Sequence, residues 1–162
     1  MPDLLDALNQ YFELVAAAMT PHGGEILRFI GDAMLIVFPD DAGADGRDAC
    51  RPALDAADDA FNSLDVVNHR RKGQFQPTLS FGVGLYYGEV IYGNVGAPDR
   101  LDFTVMGAAV NQTSRLEGST KSLHQRLLMS REFVDLICAP VRSRRAHAMK
   151  GFSELREVFG LQ

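Results

Sequence analysis

The sequence has few cysteines, no long apolar run and no excess of positive charge. Its two cysteines, Cys50 and Cys138, lie far apart without CxxC spacing, so we predict buried reduced thiols rather than a disulfide or a metal site. No apolar segment approaches the roughly 20 residues of a membrane-spanning helix, and the first residues lack the basic and apolar regions of a signal peptide. These absences predict a cytoplasmic domain.

The charge balance is mildly acidic. Sixteen Lys and Arg residues face 21 Asp and Glu residues, which gives a formal net charge of -5. Because nucleic acids and anionic membranes attract basic surfaces, we predict no nucleic-acid partner and no membrane contact by this domain. A locally basic site for an anionic small molecule stays compatible with this balance.

Several common catalytic motifs are also missing. The glycines form neither GxGxxG nor a Walker loop, which argues against phosphate binding by a glycine-rich loop. The four histidines share no ligand spacing, and Ser114 has no His-Asp pattern near it, so zinc chemistry and acyl transfer are not indicated.

Length and periodicity predict one α+β domain over residues 1–162, with 46% hydrophobic residues to form its core. Apolar residues at helical spacing begin the chain, and the segment PHGG at 21–24 ends that helix. We predict a second helix over about Arg47–Asn68, followed by HRRK as a solvated C-terminal turn, and a third over about Ala108–Leu116.

Strand patterns alternate with these helices. EILRFI and AMLIVF predict a hairpin, and TLSFGVGLYYGEVIYGNVG predicts two strands whose glycines mark bends or close backbone approach. RLDFTVMG and RLLMS predict further strands, REFVDLICA a short helix, and AHAMKGFSELREVFGL a closing pair of strands.

A Gly-Asp pair stands at the predicted hairpin turn. Gly31 tolerates a positive φ and Asp32 bonds readily to turn backbone, so the pair is explained by a tight turn alone. The alternative hypothesis is that the Asp32 carboxylate lies at the hairpin tip because it meets a cation.

Asn111 and Arg115 are four residues apart at the start of the third predicted helix. That spacing places an amide and a guanidinium on one face, close to a helix N-terminus that favours anions. The pattern suits a phosphate group. The alternative is that Asn111 caps or packs locally and Arg115 pairs with Glu117 or another acid.

Four segments, in order, resemble the catalytic domain of class III adenylyl and guanylyl cyclases: GGEILRFIGDAMLIVFP, GVGLYYGEVIYGNVG, RLDFTVMGAAVNQTSRLE and MKGFSELREVF. The resemblance covers nearly the whole chain. It implies a ferredoxin-like βαββαβ core with added strands, a head-to-tail homodimer, and catalytic sites at the dimer interface. It also implies a signalling role under a sensor domain outside this chain.

The resemblance assigns a reaction and most of its residues. It implies that ATP is converted to 3′,5′-cyclic AMP and pyrophosphate, with two Mg²⁺ or Mn²⁺ ions in the complete site. Asp32 matches one of two metal-binding aspartates, Asn111 the amide that orients the ribose, and Arg115 the guanidinium that stabilises the transition state. Lys150 matches a lysine that contacts the terminal phosphates.

Two further positions match the residues that select the base. Arg28 stands where adenylyl cyclases of this family carry lysine, and Thr104 stands at a position where threonine suits adenine better than guanine. A guanidinium does not reproduce the donor geometry of an ammonium, so GTP remains the alternative substrate. Arg28 is equally explained as a strand residue at the rim of the sheet.

The chain departs from the family pattern before its first helix. Family members carry the other metal aspartate in an N-terminal strand, and no such strand precedes this helix; Asp3 and Asp6 belong to no such motif. We therefore expect a truncated form of a longer chain that is weak in metal binding and exposes an apolar face or sheet edge. Ala108 also replaces a common aspartate, a change that we interpret as structural.

Two other hypotheses compete with a cyclase. The chain could be a noncatalytic dimerisation or nucleotide-sensing module descended from cyclases. HGGEILRF also resembles the GGDEF-type signature of diguanylate cyclases, but Ile26 stands where the second acid belongs.

Overall fold

The structure is a computed structural model that describes residues 2–41, 43–137, 141–147 and 156–161. It confirms the predicted α+β class. The helices are α1 (Pro2–Met19), α2 (Arg47–Gly73), α3 (Ala108–Ser122) and α4 (Arg131–Ile137), with a 3₁₀ turn at Thr20–His22. The strands are β1 (Glu25–Ile30), β2 (Ala33–Val37), β3 (Val83–Leu85), β4 (Ile91–Ala97), β5 (Arg100–Met106), β6 (Leu127–Met129), β7 (Val141–His147) and β8 (Arg156–Leu161). Within the described ranges, no helix has the length and apolar character that a membrane span requires.

Three predicted boundaries were wrong. Helix α2 continues to Gly73 instead of ending at Asn68, and α3 continues to Ser122 instead of Leu116. In α3, the hydroxyls of Ser119 and Ser122 donate to helix carbonyls at 2.8 and 3.1 Å, so residues that usually compete with a helix here bond to it. Strand β7 begins at Val141, before the predicted start at Ala146.

One compact unit comprises Met1–Ala44 and Arg51–Phe81, and it contains α1, the β1–β2 hairpin and most of α2. Its core combines apolar side chains of α1 with a row of small residues on α2. Ala56, Ala57 and Ala60 are fully buried, which lets neighbouring backbone approach the helix closely. Phe81 joins the two helices, because its ring lies 5.4 Å from that of Tyr11 and 5.4 Å from that of Phe61.

The segment after α2 is held by two side chains of that helix. The Asn68 amide donates to the Leu79 carbonyl at 2.8 Å and accepts from the Leu79 N–H at 2.7 Å. Arg71 donates to the Pro77 carbonyl at 2.6 Å and to the Gln10 side chain at 2.8 Å. The prediction that all of HRRK is solvated was therefore wrong for Arg71, which fixes the chain that leaves the helix.

The second unit comprises Asp45–Cys50 and Gly82–Gln162. Its main sheet has the order β3-β6-β8-β7, with β3 and β6 parallel and the other pairs antiparallel, and β4 and β5 form a separate hairpin. Helix α3 packs on β3 and β6, where Leu116 of the helix clusters with Leu128 of β6. Leu128 and its neighbour Met129 are both fully buried. Cys50 is buried as predicted, whereas Cys138 lies outside the described residues.

Candidate active site

Helix α3 begins at Ala108, and it is separated from β5 by Gly107. This residue occupies the N-cap position without a side-chain capping bond, and the Val110 N–H approaches its carbonyl at 3.2 Å. Asn111 is therefore not the helix cap, and its side chain is exposed. The alternative that Asn111 merely caps or packs locally loses support.

The inner face of α3 is pressed against β3. Ala109, Val110, Leu116 and Thr120 are buried on this face. A Cβ placed on Gly84 of β3 would lie 2.6 Å from the Glu117 nitrogen and 2.9 Å from the Leu116 Cβ. Only glycine lets strand and helix come this close, which confirms the predicted close backbone approach and fixes how the helix lies on the sheet.

Asn111 and Arg115 lie on the opposite face of the same helix. At about 100° per residue, four residues separate the two side chains by only about 40°, and both point roughly half a turn away from the buried stripe. Asn111 is exposed and Arg115 is half-buried. The structure therefore brings an amide and a guanidinium together on an accessible face of a firmly packed helix.

Asp32 and Arg28 belong to the β1–β2 hairpin of the first unit. Gly31 takes the turn with φ of +63°, as predicted, and Asp32 beside it is exposed. Ile26 pairs with Ile36 but Arg28 pairs with Leu35, so Leu27 is an extra residue in β1 and forms a bulge. Both charged side chains are exposed on this hairpin.

The apolar surface of β1 is also exposed. The exposed fractions are 56% for Phe29 and 41% for Ile30, although the Phe29 ring contacts that of Phe12 at 4.6 Å. Among the described strands, β1 pairs with β2 alone. The predicted exposed apolar face is thus present at this hairpin.

The remaining predicted site residues are Thr104 and Lys150. Thr104 lies in β5, opposite Gly93 of β4, and Lys150 lies outside the described residues. In the part of the chain that the structure describes, no three His, Cys, Asp or Glu side chains group as a metal site.

Sequence reasoning missed Gln112. Its Oε1 atom is buried and, within the described ranges, accepts no hydrogen bond. A buried acceptor without a donor is costly, and it stands one residue after Asn111. Nothing in VNQTSR marks this residue, because burial of a single amide oxygen has no sequence signal.

A sequence model described as the adenylate and guanylate cyclase catalytic domain matches residues 2–158. The chain belongs to this cyclase family. A curated relative, the adenylate cyclase of Anabaena cylindrica, is 36% identical over 137 residues, which cover 82% of this chain and 26% of the relative. The cyclase chain thus spans about a quarter of the length of that relative.

Solved cyclase structures share the fold over the whole chain. The adenylyl cyclase CyaB of P. aeruginosa superposes with a TM-score of 0.84 and 26% identity, covering 100% of this chain and 83% of that one. The guanylyl cyclase Cya2 superposes with a TM-score of 0.78 and 28% identity, covering 98% and 80%. The predicted family and fold are therefore confirmed, and both adenylyl and guanylyl cyclases are similar to this domain.

Proposed function

We propose that this domain forms 3′,5′-cyclic AMP and pyrophosphate from ATP, at sites shared by two copies of the chain. The observation that carries the proposal is the pairing of Asn111 and Arg115 on the accessible face of α3, within a domain of the cyclase family. The similarity to enzymes named adenylate cyclase supports ATP over GTP.

The proposed chemistry is an internal displacement at phosphorus. The ribose 3′-hydroxyl loses its proton to water as its oxygen attacks the α-phosphorus. The bond from that phosphorus to the oxygen that bridges it to the β-phosphorus breaks, and pyrophosphate leaves. Negative charge grows on the leaving oxygens and on the equatorial oxygens of the phosphorus, so a guanidinium at this position binds the transition state better than the substrate. We assign that role to Arg115, orientation of the ribose to Asn111, and the terminal phosphates to Lys150.

Asp32 is the proposed ligand for the divalent metal ions, Mg²⁺ or Mn²⁺. Its donor chemistry fits, because Mg²⁺ commonly uses one or two carboxylates together with substrate phosphates and water. An exposed carboxylate at a tight turn offers such a hard oxygen ligand. When bound, the ions lower the pKa of the attacking hydroxyl and neutralise the leaving phosphates.

A shared site follows from the proposed division of residues between copies. We propose that Asp32 of one copy faces Asn111 and Arg115 of the other copy. Arg28 then contacts the base in the second site of the dimer, and not in the site that contains Asp32 of its own copy. Neither copy alone then holds both the metal ligand and the transition-state cation, so catalysis needs the dimer.

A mixing experiment tests this arrangement. Asp32→Ala and Arg115→Ala variants are each expected to be inactive in a cyclic AMP assay with Mn²⁺. When the two are mixed, half of the dimers are mixed dimers, each with one intact site, so activity should return to about a quarter of the parent. Lack of rescue, with both variants still dimeric by sedimentation, would show that the two residues do not act across copies.

Base selection is tested on the same assay. If Arg28 and Thr104 contact the base, the ratio of kcat/KM for ATP to that for GTP exceeds one in the parent and rises in Arg28→Lys, which restores the single ammonium. A parent that makes cyclic GMP faster than cyclic AMP would instead establish the guanylyl cyclase alternative.

One observation favours a second candidate. Among the described residues, Asp32 belongs to no group of three side chains that could hold a metal ion without substrate, so a noncatalytic nucleotide-binding or dimerisation module is the alternative function. It predicts ATP binding by calorimetry with no cyclic nucleotide formed at any Mn²⁺ concentration, and Asp32→Ala would leave that binding unchanged. In either case, we propose control by a sensor segment of a longer protein.

A further inference from the structure

Phe75 follows helix α2 in an unusual conformation. Its side chain is 98% exposed and its φ is +57°. The Gln76 N–H bonds to the Arg71 carbonyl at 2.8 Å and the Phe75 N–H to the Lys72 carbonyl at 3.1 Å, which is the hydrogen-bond pattern of a Schellman motif. Glycine is the usual residue at this left-handed position, and a bulky aromatic there is a genuine outlier. Folding of the helix end therefore does not account for the phenylalanine.

The end of α2 that carries Phe75 is basic, although the helix as a whole is acidic. Arg47–Asp65 contains five aspartates and two arginines, whereas Val66–Gly73 contains Arg70, Arg71 and Lys72 and no acid. Arg71 is engaged with Gln10 and Pro77, but Arg70 and Lys72 are exposed, as is His69. We name His69, Arg70, Lys72 and Phe75 the α2 tip. The dipole of the helix explains cations at its C-terminal end. It does not explain the exposed ring of Phe75.

We propose that the α2 tip docks on an anionic lipid surface. The Phe75 ring enters the interfacial layer, while Arg70 and Lys72 lie against acidic headgroups. An aromatic ring that enters the interface and cations that meet acidic headgroups both favour binding to anionic membranes, and the α2 tip offers one ring and two exposed cations of the Lys/Arg type. The complementary charge of the lipid identifies the occupant.

The small size of the apolar area favours lipid over a protein partner. A stable protein interface buries about 800 Å² on each side around an apolar core. Besides Phe75, the large exposed hydrophobic residue of this helix end is Val66, at 54% exposure. A ring that is 98% exposed also has no neighbouring wall and so does not line a groove. A flat anionic surface needs neither a groove nor a wide apolar patch.

The proposal runs against the prediction from net charge, and the structure gives the reason. A net charge of -5 averages the whole surface, whereas the acidic and basic residues of α2 are segregated along the helix. Local cations act within a Debye length of about 10 Å at 0.1 M salt. Binding should therefore be weak and sensitive to salt.

Sedimentation with vesicles tests the contact on the full chain. We expect binding to phosphatidylcholine vesicles that contain about 30% phosphatidylserine and little binding to pure phosphatidylcholine, with loss of binding when NaCl is raised from about 0.05 to about 0.5 M. Lys72→Glu should weaken the partition coefficient about tenfold. Lys121→Glu is the matched control, because Lys121 is also exposed in the last turn of a helix and should have little effect.

Phe75→Gly separates binding from folding. Glycine suits the left-handed position, so this variant should keep or raise its melting temperature while the vesicle-bound fraction falls several-fold. Equal binding of Phe75→Gly and parent, equal binding to neutral vesicles, or no binding at low salt would overturn the proposal. A loss of dimer in Phe75→Gly by sedimentation velocity would also overturn it, because the α2 tip would then be a contact between copies.

Discussion

Asn111 and Arg115 lie on a helix whose other face is fixed against a strand, whereas Asp32 and Arg28 lie on a hairpin with much of its surface exposed. In the first region, close packing at Gly84 determines where the side chains point. In the second, a left-handed glycine and a bulge determine it, and the Phe29–Phe12 ring contact adds one support. The positions of Asn111 and Arg115 thus depend on close packing of a helix, whereas the positions of Asp32 and Arg28 depend on the geometry of a turn.

The difference has a consequence for catalysis. Groups that stabilise a transition state must already be in place when charge develops, because reorganisation at that moment raises the barrier. Packing of α3 fixes the backbone that carries Arg115, as the role proposed for this residue requires. Asp32, the proposed metal ligand, lies on an exposed hairpin, where it can adjust to an ion and its phosphates at the cost of a less defined position.

The largest expected effect is on turnover when the helix-borne guanidinium is removed. Arg115→Ala should lower kcat about 100-fold or more, because it removes the cation assigned to the transition state. The dimer should persist, since the side chain is only half-buried and the inner face of α3 is untouched. Rates of cyclic nucleotide formation and sedimentation velocity provide the two measurements.

Lys121→Ala, on the same helix, is the control for Arg115→Ala. It removes an exposed cation from the last turn of α3 and should change kcat less than twofold. Parent-like turnover of Arg115→Ala in an active protein would remove Arg115 from the proposed mechanism.

The support beneath that helix gives the next largest effect. Gly84→Ala places a Cβ 2.6 Å from the Glu117 nitrogen, so strand or helix must shift. We expect a loss of about 1–3 kcal/mol in the free energy of unfolding, with reduced kcat if the shift displaces Arg115. Urea denaturation gives the stability.

Gly93→Ala is the matched control, because a Cβ at this glycine of β4 meets no atom of the described residues within 4 Å. It should leave stability nearly unchanged. If the free energy of unfolding falls equally in both variants, the loss is a general effect of replacing glycine in a strand. Close packing at Gly84 would then not define the position of the helix.

Several features of the helix and the hairpin could be predicted from the sequence. The others could not, for physical reasons. The hairpin turn at Gly31 and the shared face of Asn111 and Arg115 follow from local rules that involve few residues. The extent of α3 does not, because the hydroxyls of Ser119 and Ser122 bond to helix carbonyls where local propensity favoured a stop. The glycine at position 84 indicates close backbone approach, but its partner lies about 30 residues later in the chain, so the identity of that partner cannot be predicted from neighbouring residues.

The hairpin should respond more mildly than the packed helix. Gly31→Ala keeps open space around the new Cβ but forces a left-handed φ of +63°, which costs about 1 kcal/mol. Gly31→Asn should cost less, because asparagine tolerates this region. Thermal melts give the order. Equal stability of the two variants would mean that the turn relaxes and does not fix the position of Asp32.

The smallest expected effect concerns charge on α2, the helix that contributes residues to both units. The pKa of Asp58 is raised, first by partial withdrawal of its carboxyl from water and then by the Asp55 carboxylate, with Arg51 acting in the opposite direction. A raised pKa in the folded state means that ionisation costs stability. The cost is fully present above the folded-state pKa, falls as pH drops through it, and is gone below the unfolded-state value, which is the ordinary 3.8 of an aspartate. Asp58→Asn should therefore raise the melting temperature slightly at pH 7 and leave it unchanged near pH 3. Asp48→Asn should act in the opposite direction at pH 7, since Asp48 lies in the first turn of the same helix, where a negative charge complements the dipole. A decrease for both variants would mean that position along α2, and not the local pKa, decides the sign.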